Sequence, residues 1–278
     1  MQRLDLANPV LDCYDDAGGA PDGDFGRKKL WDGYEISIQP DPKDADNGCS
    51  ATIYNANANA VYGTNNMSPQ QWSGAGTDVI LDPSNGLDVD GDGSPDVVLR
   101  TGSRGNGGSS WQLDAISLKP QAHILFSFGG TFVALRKDPQ ARVVLWSGEP
   151  IELAGAYRVP NADVPVLQRA YRFSSGKLTE VTPDYCATID TELFIPSSAE
   201  LQDFKSRNID DPKYQSGEAA DVLNVVFQEI FCHRFDQALT MVDDSWPPSD
   251  RASLIQALQK ESSGWKCAAC QAGVASWH

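Results

Sequence analysis

Along roughly the first 195 residues, apolar and polar positions alternate over short runs, the period-2 pattern of half-buried strands. Tyr34-Glu35-Ile36-Ser37-Ile38 shows it clearly. Ser50 to Tyr54 and Ala60 to Tyr62 flank Asn55-Ala56-Asn57-Ala58-Asn59, a loop tolerant of left-handed backbone, and so predict a hairpin. Asp78–Leu81, Val97–Arg100, Trp111–Leu118, His123–Phe128, Phe132–Leu135 and Val143–Trp146 continue the series. Gly129-Gly130 reads as a tight turn that makes a hairpin of the two runs beside it. Ser174-Ser175-Gly176-Lys177 does the same for Leu167–Phe173 and Leu178–Val181. Strands at this spacing, punctuated by Gly and Pro, predict an antiparallel β domain over residues 1–195.

The period changes near Pro196, and residues 196–278 read as a small helical domain. Ser197 or Ser198 can cap a helix through Phe204, because a side-chain oxygen there satisfies an orphan N–H. Asp211-Pro212 to Ser216 is a polar joint. From Glu218 a long helical stripe carries Ala219, Leu223, Val226 and Ile230, continued by Phe235, Leu239 and Val242. Trp246-Pro247-Pro248 stops it, and Ser249 caps a second helix with Leu254, Ile255 and Leu258. Two helices around a Pro turn predict an αα-hairpin. The expected fold class is therefore α+β: β first, α second.

Composition narrows the partners. Apolar residues make up 41%, and 24 Gly bring the share to the ordinary globular value, so there is material for a core. Lys+Arg 22 against Asp+Glu 38 leaves a formal charge of −16. Such a chain lacks the basic field that nucleic acid or an anionic membrane requires, and no apolar run is long enough for a transmembrane segment. The six cysteines, an even number spread along the chain, point to an oxidising compartment. Met1-Gln2-Arg3-Leu4-Asp5 carries no basic stretch before an apolar one, which leaves a cytosolic protein or a mature exported one; the cysteines favour the second, a periplasmic or secreted protein whose signal peptide has been removed. Cys13–Cys49 is the expected bridge inside the β part, since each flanks the same early strand. For Cys186 and Cys232 the spacing leaves Cys267 and Cys270 open as partners.

One motif carries chemistry. Asp88-Val89-Asp90-Gly91-Asp92-Gly93-Ser94-Pro95-Asp96 fits D-x-D-x-D-G-x-x-D. Calcium takes six to eight hard oxygens, and carboxylates at alternate positions of a tight loop can face one centre. The metal set is Asp88, Asp90, Asp92 and Asp96, with Gly93 at the sharp turn. The twelfth position is Leu99 where an EF-hand needs Glu, and Val97-Val98-Leu99 are strand formers. The loop thus leads into a strand. The bland alternative is an ion-free, solvated acidic turn, but four Asp in nine residues repel one another unless neutralised.

A degenerate copy near 134–148 follows 46 residues later, where Arg142-Val143-Val144-Leu145-Trp146-Ser147-Gly148 aligns with Asp96-Val97-Val98-Leu99-Arg100-Thr101-Gly102. Asp90 becomes Arg136, Gly91 becomes Lys137 and Asp96 becomes Arg142, while Asp92 corresponds to Asp138. The alignment places guanidinium charge where the cation would sit, paired with Asp138. A strand-bearing period of this size is propeller-blade-like, although two recognisable units are fewer than a closed ring needs. With Gly33-Tyr34-Glu35, Leu87–Arg100 and Gly176-Lys177-Leu178-Thr179-Glu180-Val181-Thr182, the chain resembles exported bacterial proteins with FG-GAP/VCBS-type calcium-loop repeats. That resemblance implies calcium at Asp88, Asp90, Asp92 and Asp96 and an extracytoplasmic location.

The remaining candidates are weaker. Cys267-Ala268-Ala269-Cys270 could be a redox pair, could join Cys232 and His233 in a Cys3His zinc site, or could tie the C-terminal tail to Cys232 or another cysteine; the structural disulfide is the preferred reading. His123, His233 and His278 stand singly, and no catalytic signature surrounds them. Gly102 to Gly108 reads as a flexible surface loop, and Trp31, Trp72, Trp111 and Trp146 as core more than sugar platforms. The functional expectation is a non-catalytic binding or structural module with an unknown protein or glycan ligand. The alternative is a secreted hydrolase, for example one acting on glycans, whose carboxylates converge only in the fold.

Overall fold

A computed structural model describes residues 11–13, 25–40, 48–63, 78–105, 108–150, 166–191, 193–207 and 217–278. In chain order the strands are β1 (Asp12–Cys13), β2 (Gly26–Lys29), β3 (Glu35–Pro40), β4 (Cys49–Tyr54), β5 (Ala60–Gly63), β6 (Asp78–Leu81) and β7 (Val97–Gly105). They continue with β8 (Gly108–Ser117), β9 (His123–Gly130), β10 (Phe132–Lys137), β11 (Val143–Pro150), β12 (Val166–Ser174) and β13 (Lys177–Glu180). A 3-10 turn at Thr182–Tyr185 leads into α1 (Cys186–Asp190), followed by α2 (Ser198–Lys205), α3 (Gly217–Phe231), α4 (Phe235–Ser245), α5 (Arg251–Ser262) and α6 (Ala268–Ala275). The fold class is α+β.

The strands form three sheets, ordered β2-β3-β4-β5, β1-β6-β7-β8-β9 and β10-β11-β12-β13. Each is a run of four consecutive strands, with β1 added beside β6 in the second. The β4–β5 hairpin closes over Asn55, whose side chain accepts from the N–H groups of Asn57 and Asn59, each at 3.0 Å. The β12–β13 hairpin turns on Ser175 and Gly176, both at positive φ (51° and 78°), the mirror-image turn geometry that matches strand twist.

The chain divides into two compact units: Arg3–Ser147 with Tyr171–Glu180, and Met1–Gln2 with Gly148–Ala170 and Val181–His278. Within the first unit, period-2 alternation buries the middle sheet on both faces. Val79, Leu81, Val97 and Leu99 join a core with Ile36, Ile38, Ala51 and Ile53 of β3 and β4. Ile80, Val98, Leu113 and Ala115 join another with Val133, Leu135, Leu145 and Tyr171. The three sheets are thus layered, the middle one between the others. The expected Gly129–Gly130 hairpin is not formed. Both glycines lie within β9, opposite Gln112 and Trp111, and β10 opens the next sheet. A Gly-Gly pair marks where the chain can bend, but which strand pairs with which is set by the cores on either side.

The run from Gly102 to Gly108 also differs from the expected loop. β7 and β8 pair as far as Gly105 opposite Gly108. At Gly102 a Cβ would lie 2.5 Å from the Ser110 carbonyl oxygen and 2.6 Å from the Trp111 ring. The glycine is needed there for close approach. Trp111 itself is buried, with the Arg100 guanidinium 5.8 Å from its ring centroid, as the core reading expects.

In the second unit, α2 starts at an N-cap Ser197 that forms a reciprocal capping box with Glu200. The long helix expected from Glu218 is two helices. His233 adopts left-handed φ (59°), its N–H bonds the Ile230 carbonyl at 2.9 Å, and the Arg234 N–H bonds the Glu229 carbonyl at 2.9 Å. This is the helix-ending arrangement usually built on Gly. The chain reverses there, so the packed antiparallel pair is α3 with α4, and not two helices around Pro247-Pro248. Their apolar stripes (Leu223, Val226, Phe227, Ile230, Val242) close a core with Phe204, Trp246, Leu254 and Leu258. Helices also begin earlier than expected, at Cys186 ahead of Pro196.

Three disulfides are present: Cys13–Cys49, Cys186–Cys232 and Cys267–Cys270. The first is the expected bridge. Cys267 and Cys270 close on each other and do not tie the tail to another cysteine, and the Cys186–Cys232 bridge removes Cys232 from the alternative Cys3His set. Sequence separations of 36 and 46 make the first two bridges worth about 4 kcal/mol each in loop entropy, whereas a separation of 3 yields under about 2 kcal/mol. No helix is long and apolar enough to cross a membrane among the described residues.

Candidate metal centre

The acidic loop joins β6 to β7, two hydrogen-bonded neighbours in the middle sheet. Its ends are clamped by backbone bonds of 2.9 Å from Gly86 N–H to the Asp96 carbonyl and from Asp96 N–H to the Leu87 carbonyl. Val89 is buried and belongs to the core of the first unit, which pins the apex side of the loop to the sheet. Asp96 is fully buried and leads directly into Val97, Val98 and Leu99, all buried. Positive φ at Gly91 (81°) and Gly93 (86°) makes the tight turn, and with open space at both positions the requirement is conformational.

Carboxylate oxygens of Asp88, Asp90 and Asp96 lie within 4.8 Å of one another. Calcium–oxygen distances of about 2.3–2.6 Å allow two ligands of one ion to be about 5 Å apart at most, so these three fit a single centre. Asp88 accepts from Gly91 N–H at 2.7 Å and Gly93 N–H at 3.0 Å, while Asp90 accepts from Asp92 N–H at 3.0 Å. Asp92 stands outside that three-carboxylate group, its Oδ1 accepting from Ser94 N–H at 2.6 Å. Asp96 differs from the other acids. Its Oδ2 accepts from Val89 N–H at 2.8 Å, and its buried Oδ1 has no hydrogen-bond partner. Burial, opposed by the Val89 N–H and reinforced by Asp90, Asp92 and Asp88, pushes its pKa up to about 6. An unpartnered buried oxygen beside two further carboxylates is the environment a hard cation relieves.

No protein family, curated protein or solved structure matches the chain.

The loop read from sequence as a degenerate copy lies between β10 and β11 and is closed in a different way. Asp138 Oδ1 accepts from the N–H groups of Gln140 and Arg142, each at 2.9 Å, and Oδ2 accepts from Arg142 Nε at 2.6 Å. Arg142 also donates to Gln140 Oε1 at 3.0 Å. The charge of this loop is balanced by its own residues.

Of two further groupings, the first has no counterpart in the sequence reading and the second keeps three members of the Cys3His alternative. Asp114, fully buried in β8, accepts from Tyr62 Oη at 3.1 Å and Gln112 Nε2 at 3.0 Å, and burial raises both the Asp114 and the Tyr62 pKa. An acid placed between Leu113 and Ala115 in a strand was the available signal. The other grouping is His233 with Cys267 and Cys270, brought together from residues 34 apart. Among the tryptophans, Trp31 and Trp146 are half-buried, and Trp72 lies outside the described residues.

Proposed function

We propose that the chain is a calcium-stabilised, exported module built from blade-like β meanders of the FG-GAP/VCBS kind, and that its task is binding a protein or glycan ligand rather than catalysis. The observation that carries the metal reading is the buried, unpartnered Oδ1 of Asp96 beside the Asp88 and Asp90 carboxylates. Oxygen-only ligands from one loop select a hard cation, and calcium accepts the irregular geometry of such a loop more readily than magnesium does. Asp92, two residues from Asp90, would complete the set if its carboxylate turned toward the ion. Water and a loop carbonyl fill the remaining positions.

The blade reading is supported by the run of three four-strand meanders. The acidic loop and its degenerate copy each join the first strand to the second of their meander. The three disulfides support an oxidising, extracytoplasmic location. Calorimetric titration of calcium into chelator-treated protein tests the site. One equivalent should bind, and Asp90→Ala should abolish it. Identical melting curves with calcium and with chelator would sink the structural role.

A further inference from the structure

We propose that Cys267–Cys270 is a thiol–disulfide exchange site, with Cys267 as the attacked sulfur, Cys270 as the resolving cysteine and His233 as the residue that tunes Cys267. The two sulfurs are unequal. Cys270 is fully buried, while Cys267 is only partly so and is the reachable one. Cys267 occupies the N-cap of α6, and its Sγ accepts from the Cys270 N–H at 3.1 Å. A sulfur held there is stabilised as a thiolate by the free N–H groups and the positive end of the helix.

His233 supplies the second, independent feature. Its exposed imidazole places Nε2 3.6 Å from Cys267 Sγ, although the two residues lie 34 apart in sequence. Two details produce that contact. The left-handed backbone of His233 turns the side chain outward at the α3–α4 reversal. Gly273 then allows α6 to lie against the Phe235 ring, where any Cβ would come within 2.3 Å, and Phe235 stacks on His233 with centroids 5.9 Å apart. The charged residues of the surrounding elements include Arg234, next to His233 and ion-paired with Asp190 and with Glu229 of α3, Asp236 in the first turn of α4, Lys260 and Glu261 at the end of α5, and Lys266 before Cys267; α6 itself has none. A bridge across three residues also constrains the unfolded chain least of the three.

The exchange balances with two thiols of a partner. The first partner thiolate attacks Cys267 Sγ, a partner–Cys267 bond forms, and the Cys267–Cys270 bond breaks with its electron pair going to Cys270, which takes a proton. A second partner thiolate attacks the partner sulfur of that mixed disulfide and releases Cys267 as a thiolate. The partner is oxidised by two electrons to a disulfide and the protein is reduced by two. Exchange with a low-molecular-weight disulfide, such as glutathione disulfide, regenerates the bridge.

Equilibration of the full chain in graded mixtures of reduced and oxidised glutathione, followed by acid quench, alkylation and peptide mapping, tests this. Cys267–Cys270 should open with an equilibrium constant at least about tenfold more favourable than either other bridge. Cys270→Ser should accumulate a glutathione adduct on Cys267, and Cys267→Ser should leave Cys270 unmodified. His233→Asn keeps a side chain compatible with left-handed backbone. It should shift the pH profile of Cys267 alkylation upward and slow the reaction at pH 6–7 by about threefold or more. Equal resistance of all three bridges, adduct formation on Cys270, or an unchanged profile in His233→Asn would each overturn the proposal. So would a reduced protein that takes up an equivalent of zinc and thereby shields Cys267 from alkylation.

Discussion

The loops before β7 and before β11 follow the same strand-to-strand connection and solve the same electrostatic problem in opposite ways. In residues 138–142 a single acid, its side chain 2% exposed, accepts two loop N–H groups and the Arg142 guanidinium. Nothing further is needed. In residues 88–96 the acids satisfy loop N–H groups as well, but Asp96 keeps a buried oxygen with no donor and three acids nearby. One loop carries its own counter-charge, whereas the proposed calcium would supply it to the other. The difference shows how two loops of the same connection can keep the carboxylate that caps backbone N–H groups and still differ in whether an Arg balances its charge.

The largest expected effect separates the loops outright. At calcium a hundredfold above its dissociation constant the native state gains about 2.7 kcal/mol, so chelator should lower Tm by several degrees. Asp96→Ala should erase that shift, while Asp138→Ala should preserve it. The second effect runs the other way. Asp138→Ala removes the acceptor for three loop donors and should cost about 1–2 kcal/mol, equally with and without calcium, as measured by urea unfolding. If it instead altered calcium affinity, the two loops would be coupled and the comparison would fail.

The third effect concerns pH. The pKa of Asp96 is raised to about 6 in the folded, metal-free protein. Its protonated form therefore favours the fold below the ordinary carboxylate range, and that contribution is lost as pH rises through about 6. Calcium needs the ionised form, so its affinity should fall by up to about tenfold per pH unit below 6. Taken as the difference between wild type and Asp96→Asn, the metal-free Tm should rise on going from pH 7 to 5 while the calcium increment shrinks. An affinity flat from pH 7 to 5 would remove Asp96 from the ligand set. The smallest effect belongs to Arg142→Gln. The Arg142 side chain is 46% exposed, so losing its ion pair should cost about 1 kcal/mol or less, with added salt diminishing the difference from wild type.

What could be seen in the sequence was whatever depended on near neighbours. The acidic loop was legible because its acids and glycines are set by a turn nine residues long, and the strands because alternation survives in each segment. The Ser197 cap announced itself three residues before Glu200 for the same reason. Pairing between segments was hidden. Gly129-Gly130 looked like a turn, yet its conformation answers to Trp111 across the sheet. The end of α3 carried neither Gly nor Pro, and only the packing of α3 on α4 makes His233 adopt the backbone a glycine would take at little cost. The closure of Cys267 onto Cys270 was one of several pairings that the C-x-x-C spacing left open. In the site, the acids of the motif could be named, but the burial of one among them required the core beneath Val89 and Val97.

The shortest strand has a consequence for solubility. β1 spans two residues, yet it occupies the side of β6 that would otherwise present open N–H and C=O groups, and Leu11 lends its carbonyl to Leu81 N–H at 2.9 Å. Cys13–Cys49 fastens that short cover to the neighbouring sheet. An uncovered rim on a flat apolar sheet invites a second chain to add its own strand. Two residues and one sulfur–sulfur bond thus act as a guard against self-association, and a strong reductant would release it.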